Sequence, residues 1–342
     1  NLTSNSFSAG YSNQANNDTN YVTNSINLSH IPRNKDRINA ALVLDYRLPS
    51  GKISFTNFAN SGITETINRS ESFNIGGNAH HFTMGYSKSN VNMITSIMSI
   101  EKQFSGFHAD LKFSHSYSET ESPNDWSVNF YRLPAGINDF FNRVNVNPVN
   151  VVAAAITDSS KTNLNTISSS NSFTPERKYM TSLDFKIPLN LGKNISAEIK
   201  LGGKYRKSAR SHRHESFGTT GTFQSPSERA AALMIRDYMG RPGSFTNVNI
   251  KLKWFIDTTF TYGDFLDDEF EMHYPLDFDM IEGLMFFCQD SIDVFAEEGS
   301  PGAYARNNYS STSFNYSGEE LLAAGYIMAT INLGQKLTII PG

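Results

Sequence analysis

The chain has 342 residues, a formal net charge of −4, 39% hydrophobic and 18% charged residues, and one cysteine. A mean hydropathy of −0.39 and the lack of any apolar run of about 18 residues exclude transmembrane helices. The near-neutral balance argues against a nucleic-acid binder, and the lone Cys288 excludes an intramolecular disulfide framework or a cysteine-rich zinc site. A membrane β-barrel is not excluded, because its lipid-facing and lumen-facing residues alternate and average to a moderate hydropathy.

The 25 Phe and 15 Tyr, set in a Ser/Thr/Asn-rich background with only 2 Trp, favour strands over helices. The first residue is Asn1, with neither an initiator Met nor a basic stretch leading into an apolar core, which points to processing or truncation. Leu2 to Gln14 reads as a weak strand. From Ile38 to Leu48 the apolar residues Ile38, Leu42, Leu44 and Tyr46 alternate with Asn39, Asp45 and Arg47, giving one apolar and one polar face. Pro49-Ser50-Gly51 turns the chain, and Lys52 to Ala59 runs back. The same pattern follows Ser105-Gly106, where Phe107, Leu111, Phe113 and Tyr117 alternate with Asp110, Lys112 and Ser114. A third hairpin sets Tyr179, Leu183, Phe185 and Ile187 against Asp184 and Lys186, turns at Asn190 to Lys193, and returns through Ile195, Ile199, Leu201 and Tyr205. A fourth pair runs from Leu322 to Leu333, turns at Gly334-Gln335 and restarts at Lys336, for a total of about nine strands.

These strands read as about ten to twelve residues long, the length a tilted strand needs to cross a bilayer core and longer than the usual strand of a soluble sheet. The connections read as lopsided: short turns at one end, and loops over 62–88, 120–177 and 210–318 at the other. Long structureless loops are uncommon in compact soluble domains, whereas short turns at one end and long loops at the other are usual in outer-membrane barrels. A soluble sandwich also alternates, so a secreted or surface adhesion or binding module with a β-sandwich core is the alternative. Within the loops, Ser225-Pro226-Ser227-Glu228 is a capping box that opens a helix over Ala230 to Met239, stopped by Gly240, and Asn147-Pro148 opens a short run to Ile156.

Candidate sites follow from residue chemistry. Aromatic and Arg side chains dominate recognition surfaces, which singles out Tyr238, Arg241, Trp254 and Tyr274 as ligand-facing. Between Trp254 and Ala305 there is no Lys or Arg but a run of acids. Of these, Asp264, Asp267, Asp268 and Glu269 have the oxygen chemistry to hold a structural Ca²⁺, weighed against a plain solvated acidic surface. Arg206, Lys207, Arg210 and Arg213 suggest an anion-attracting rim, weighed against a solvated strand end. His80-His81 and the scattered His108, His115 and His214 carry no metal-site spacing. Catalysis finds no support, since nucleophile-elbow, Walker A and H-E-x-x-H motifs are all absent. Gly202-Gly203, inside an alternating strand, reads as a bend or close packing, and the acids around Cys288 would not lower a thiol pKa.

Arg37 to Ile53 with Ser54 to Phe58, Phe107 to Ser118, and above all Tyr316 to Gly342 resemble barrel hairpins of TonB-dependent outer-membrane receptors, particularly those of Bacteroidetes-type bacteria. The resemblance touches most of the strands and little of the loops. It implies an all-β antiparallel transmembrane barrel of about 22 strands filled by an N-terminal plug, on which TonB pulls to admit a scarce extracellular ligand. It further implies a location in the bacterial outer membrane, lipid around the barrel, and a small-molecule, oligosaccharide or peptide ligand. Residues 1–342 then correspond to an internal barrel section, without the plug or the C-terminal strands, that binds ligand and lines its uptake path and is not an enzyme.

Overall fold

The computed structural model describes residues 2–14, 17–135, 145–155, 157–192, 195–219, 226–290, 304–333 and 337–341. All strands among them belong to one open antiparallel sheet: β1 (Leu2–Gln14), β2 (Asn17–Leu48), β3 (Gly51–Asn74), β4 (Ala79–Gln103), β5 (His108–Arg132), β6 (Asn163–Gly192), β7 (Ile195–Gly218), β8 (Ala305–Arg306), β9 (Tyr316–Leu333) and β10 (Leu337–Ile339). Each long strand pairs with its neighbour in the chain, and the two-residue β8 joins β7 beside β9. Among the described residues four α-helices interrupt the meander: α1 (Pro148–Ala154), α2 (Pro226–Tyr238), α3 (Phe278–Asp290) and α4 (Asn308–Ser313). Because the strands lie in a single sheet, Leu183 and Phe185 are not shared with a second, packed sheet, as a sandwich core would require.

The expected hairpins are present and their register agrees with the alternation. Directly opposed residues share a face, so pairing places Leu44, Phe55, Met98 and Phe113 in one row, and Tyr46, Ile53, Ile100, Leu111 and Leu183 in the next. Further rows follow through Phe185, Leu201 and Ile327, then Ile187, Ile199 and Ala329. Most of the apolar residues of each hairpin therefore fall on one side, the belt face, with Val43, Met93, Ile97 and Met328 among those on the other. Among the described residues nothing covers these belt rows: Leu44 is 55% exposed, Leu183 40% and Ile327 70%. From Ala40 to Leu48 the belt spans roughly 26 Å at the usual rise per residue. Tyr117, with Arg177 over its ring, and Tyr179 stacked on His115 lie along its upper margin; Phe104, Phe107 and Phe185 cluster by the turns. The opposite face of the same rows carries Asp45 paired with Lys52 at 3.1 Å and Asp110 paired with Lys112 at 2.7 Å. There Gly202 lets the Tyr326 ring lie across the strand and donate to Asp184 at 2.8 Å, in space a Cβ would fill.

Strand length departs from expectation. β2 to β7 run 24 to 32 residues, about 80 Å or more when extended. Consequently 62–88 is no loop: β3 and β4 continue to a short turn over 75–78, and the other long connections shrink to 133–162 and 219–315. The extensions escape periodicity because the belt is followed by rows that are polar on both faces. Ser61, Asn92 and Glu119 sit in register on the belt side, and Glu65 pairs with Lys88 at 2.9 Å.

Beyond that polar band the belt face turns apolar again, and here it is covered. Phe82, Met84, Val128, Phe130 and Ile167 pack against α2, α3 and the segment around Phe255, while Ile26, Leu28 and Phe73 pack against α1, Phe265 and Met272. α2 ends as expected: Gly240 adopts φ 64 and the Arg241 N–H donates to the Arg236 carbonyl at 2.7 Å. Ser225 of its expected capping box lies outside the described residues, as does Ile156. α1 is capped by the Asn147 side chain, which accepts from the Val149 N–H at 3.0 Å. The burial of α3, with Ile281, Leu284, Met285 and Cys288 fully covered, goes beyond what the sequence suggested.

Candidate functional site

The cap is fastened to the sheet by a buried ionic cluster. Glu71 of β3 is fully buried and accepts from His80 Nε2 of β4 at 2.7 Å, from His273 Nδ1 at 3.0 Å and from the His273 N–H at 2.7 Å. His273 belongs to the 219–315 connection, so this carboxylate clasps cap to strand. Burial alone would raise the Glu71 pKa, but the two imidazoles outweigh it and hold the carboxyl below its usual range. Burial lowers His80. His273 is desolvated too, yet its hydrogen bond to Glu71 wins and raises it. The cluster thus favours the Glu71 carboxylate, biases His80 toward its neutral form and His273 toward its cation. One row nearer the belt, His30 faces Arg69 across the strand pair. The Arg69 guanidinium lies 4.8 Å from the Phe260 ring centre, and His30 packs edge-on to Phe260 and Tyr262.

Above the clasp a cleft of 840 Å³ opens between α1 and residues 260–275, walled by Val152, Phe260, Tyr262, Phe270, Met272 and Tyr274. Its charged lining is Asp268, Glu269, Glu271 and His273. The backbone here is unusual: Leu266, Asp267, Asp268 and Tyr274 all have positive φ, a conformation that side-chain-bearing residues adopt sparingly and that concentrates at functional loops.

The four residues expected to face ligand do not share a surface. Tyr274 alone lines the cleft, with its ring 5.6 Å from Phe82. Trp254 lies under the Arg236 guanidinium at 5.1 Å, and Arg236 itself donates to the carbonyls of Arg241, Pro242 and Asn249, so Trp254 and Arg241 belong to a structural staple. Tyr238 stacks on Phe287 at 4.4 Å. Asp264, Asp267, Asp268 and Glu269 are exposed, and among the described residues no three acidic, His or Cys side chains converge as a metal site.

The basic rim is split by strand alternation. Arg206 and Arg210 lie on one face of β7, Lys207 and Arg213 on the other. Arg206 pairs with Glu320 at 2.8 Å and Lys207 with Glu319 at 3.2 Å, so the cluster forms no single anion-attracting surface. Burial pushes the Cys288 thiol up to about 12, which leaves it inert.

Sequence reasoning missed Glu71, Arg69 and His273. A signal existed for the strand residues: His30, Arg69, Glu71 and His80 occupy the belt-face parity of their strands, where a charge among Leu28, Phe73 and Phe82 demands a partner. No family model, curated protein or solved structure matches the chain.

Proposed function

We propose that the chain is a section of a TonB-dependent outer-membrane receptor, with the near half of the sheet, around the turns at 49–50 and 104–107, crossing the bilayer. The observation that carries this reading is the uncovered belt. Row after row of Leu, Ile and Phe faces outward over roughly the height of a bilayer's apolar core, bordered by aromatics, and the reverse face bears ion pairs. A surface of that size on a soluble protein would be an aggregation liability. In this reading the ion-paired face lines the lumen, the far half stands outside the cell, and the missing neighbours of β1 and β10 complete the barrel. Energy coupling comes from the plug and TonB of that family. Helices α1 to α3 lie on the belt's side of the sheet, so they clothe the outer wall above the membrane rather than fill the lumen.

Depth-dependent quenching tests this. With a single fluorophore at Leu183→Cys or at Ser182→Cys in reconstituted protein, brominated acyl chains should quench the first and spare the second; the native Cys288 is buried and does not compete. Equal quenching at both sites, or release of the protein from membranes without detergent, would overturn the reading.

A further inference from the structure

The receptor reading assigns nothing to the cleft between α1 and residues 260–275, and the inference drawn here does not rest on that reading. We propose that this cleft binds a cationic group carried on an apolar body, of the kind an ammonium or guanidinium presents beside a ring or alkyl chain. Its volume of 840 Å³ falls in the range of small-ligand sites, which are mostly apolar with a few placed polar groups. The walls supply Phe260, Tyr262, Phe270 and Tyr274 from the loop and Val152 from α1. Its carboxylates, Asp268, Glu269 and Glu271, line the loop side, no Lys or Arg lines it, and the α1 segment from Asn145 to Ala155 contains no charged residue. His273 lines the floor, but Glu71 behind it holds the compensating charge.

The same aromatic wall already holds a cation on its sheet-facing side, where Arg69 packs over Phe260. A cation desolvated against such rings gains from the ring quadrupole, and the acidic loop would concentrate cations at the mouth. An anion would meet three carboxylates with no nearby Lys or Arg on the lining to offset them.

The test is titration calorimetry of the full chain with three probes that share a ring and differ in charge: benzyltrimethylammonium, benzyl alcohol and phenylacetate. The cation should bind at least about tenfold more tightly than the alcohol, with phenylacetate weakest. Glu269→Gln combined with Glu271→Gln should abolish that preference, whereas Asp264→Asn, exposed and outside the lining, should keep it. Ala153→Arg, which plants a positive charge on the opposite wall, should cost the cation at least about tenfold without touching the loop. Equal or absent binding of the three probes, a preference that survives both the double variant and Ala153→Arg, or its loss in Asp264→Asn would each overturn the proposal.

Discussion

Two stretches of one sheet face differ chiefly in what lies over them. In the near half, Leu44, Phe113 and Leu183 stand exposed, while in the far half Phe82, Met84 and Phe130 are sealed beneath Phe255, Ile281 and Leu284. The polar rows through Ser61, Asn92 and Glu119 separate them. Strands β2 to β7 run through both zones, and the ladder marks the change by register shifts between Tyr86 and Asn90 and between Ser122 and Asp125. The difference teaches that alternation defines an apolar side but not its partner: the far half has found its cover in the chain, and the near half has none among the described residues.

The largest effect that would sharpen this comparison is expected in the cap. Phe255, whose ring lies 5.3 Å from Phe130, should cost about 3–5 kcal/mol when cut to alanine. Amide exchange should then rise in α3 while the near-half strands keep their protection; joint loss would mean that the two zones are one cooperative unit. Next comes the belt. Leu183→Arg should cost about 2–4 kcal/mol if that surface lies in lipid, against little for Ser182→Arg on the other face. Urea titration of the reconstituted protein compares the two.

A smaller effect, about 1.5–3 kcal/mol, is expected for Glu71→Gln, which leaves the His273 cation without its carboxylate. The clasp also sets a pH dependence. His273 is raised, so its contribution is complete below its unfolded pKa of about 6.5 and fades as pH climbs through the higher folded value. Glu71 is lowered, so its contribution is complete above about 4.5 and fades only in stronger acid. His80, lowered by burial, works against the clasp below about 6.5. Cap exchange should therefore be faster at about pH 9 than at about pH 7, and Glu71→Gln should flatten that difference. The smallest effect is expected for Arg206→Ala. Its pairing with Glu320 is solvent-exposed and worth at most about 1 kcal/mol, so an unchanged melting curve is expected.

Much of the near half was legible because one physical rule, side chains pointing to alternate faces, acts residue by residue. The turns after Leu48 and Gln103 and the belt rows follow from it, as does the helix stop at Gly240. The far half was legible only in fragments. From Ser61 to Ile67 the strand is polar or mixed on both faces, so nothing local distinguishes it from a loop; it is a strand because β2 and β4 flank it. The candidate site was harder still. Glu71 and His273 are separated by 202 residues, and no spacing rule connects a strand carboxylate to an imidazole in a remote connection. The Arg206 to Arg213 cluster misleads in the opposite way: it is contiguous in the chain, and alternation divides it between two faces.

The side of the sheet on which α1 to α3 sit has a bearing on how such a chain can change. Residues added to 133–162 or 219–315 would thicken the covered wall without obstructing the surface behind it, where Ser70, Ser72, Thr83 and Asn129 stand clear of the two buried clusters. The two faces are thus uncoupled: new features can accrete in these connections on one side of the sheet while the other side stays as it was.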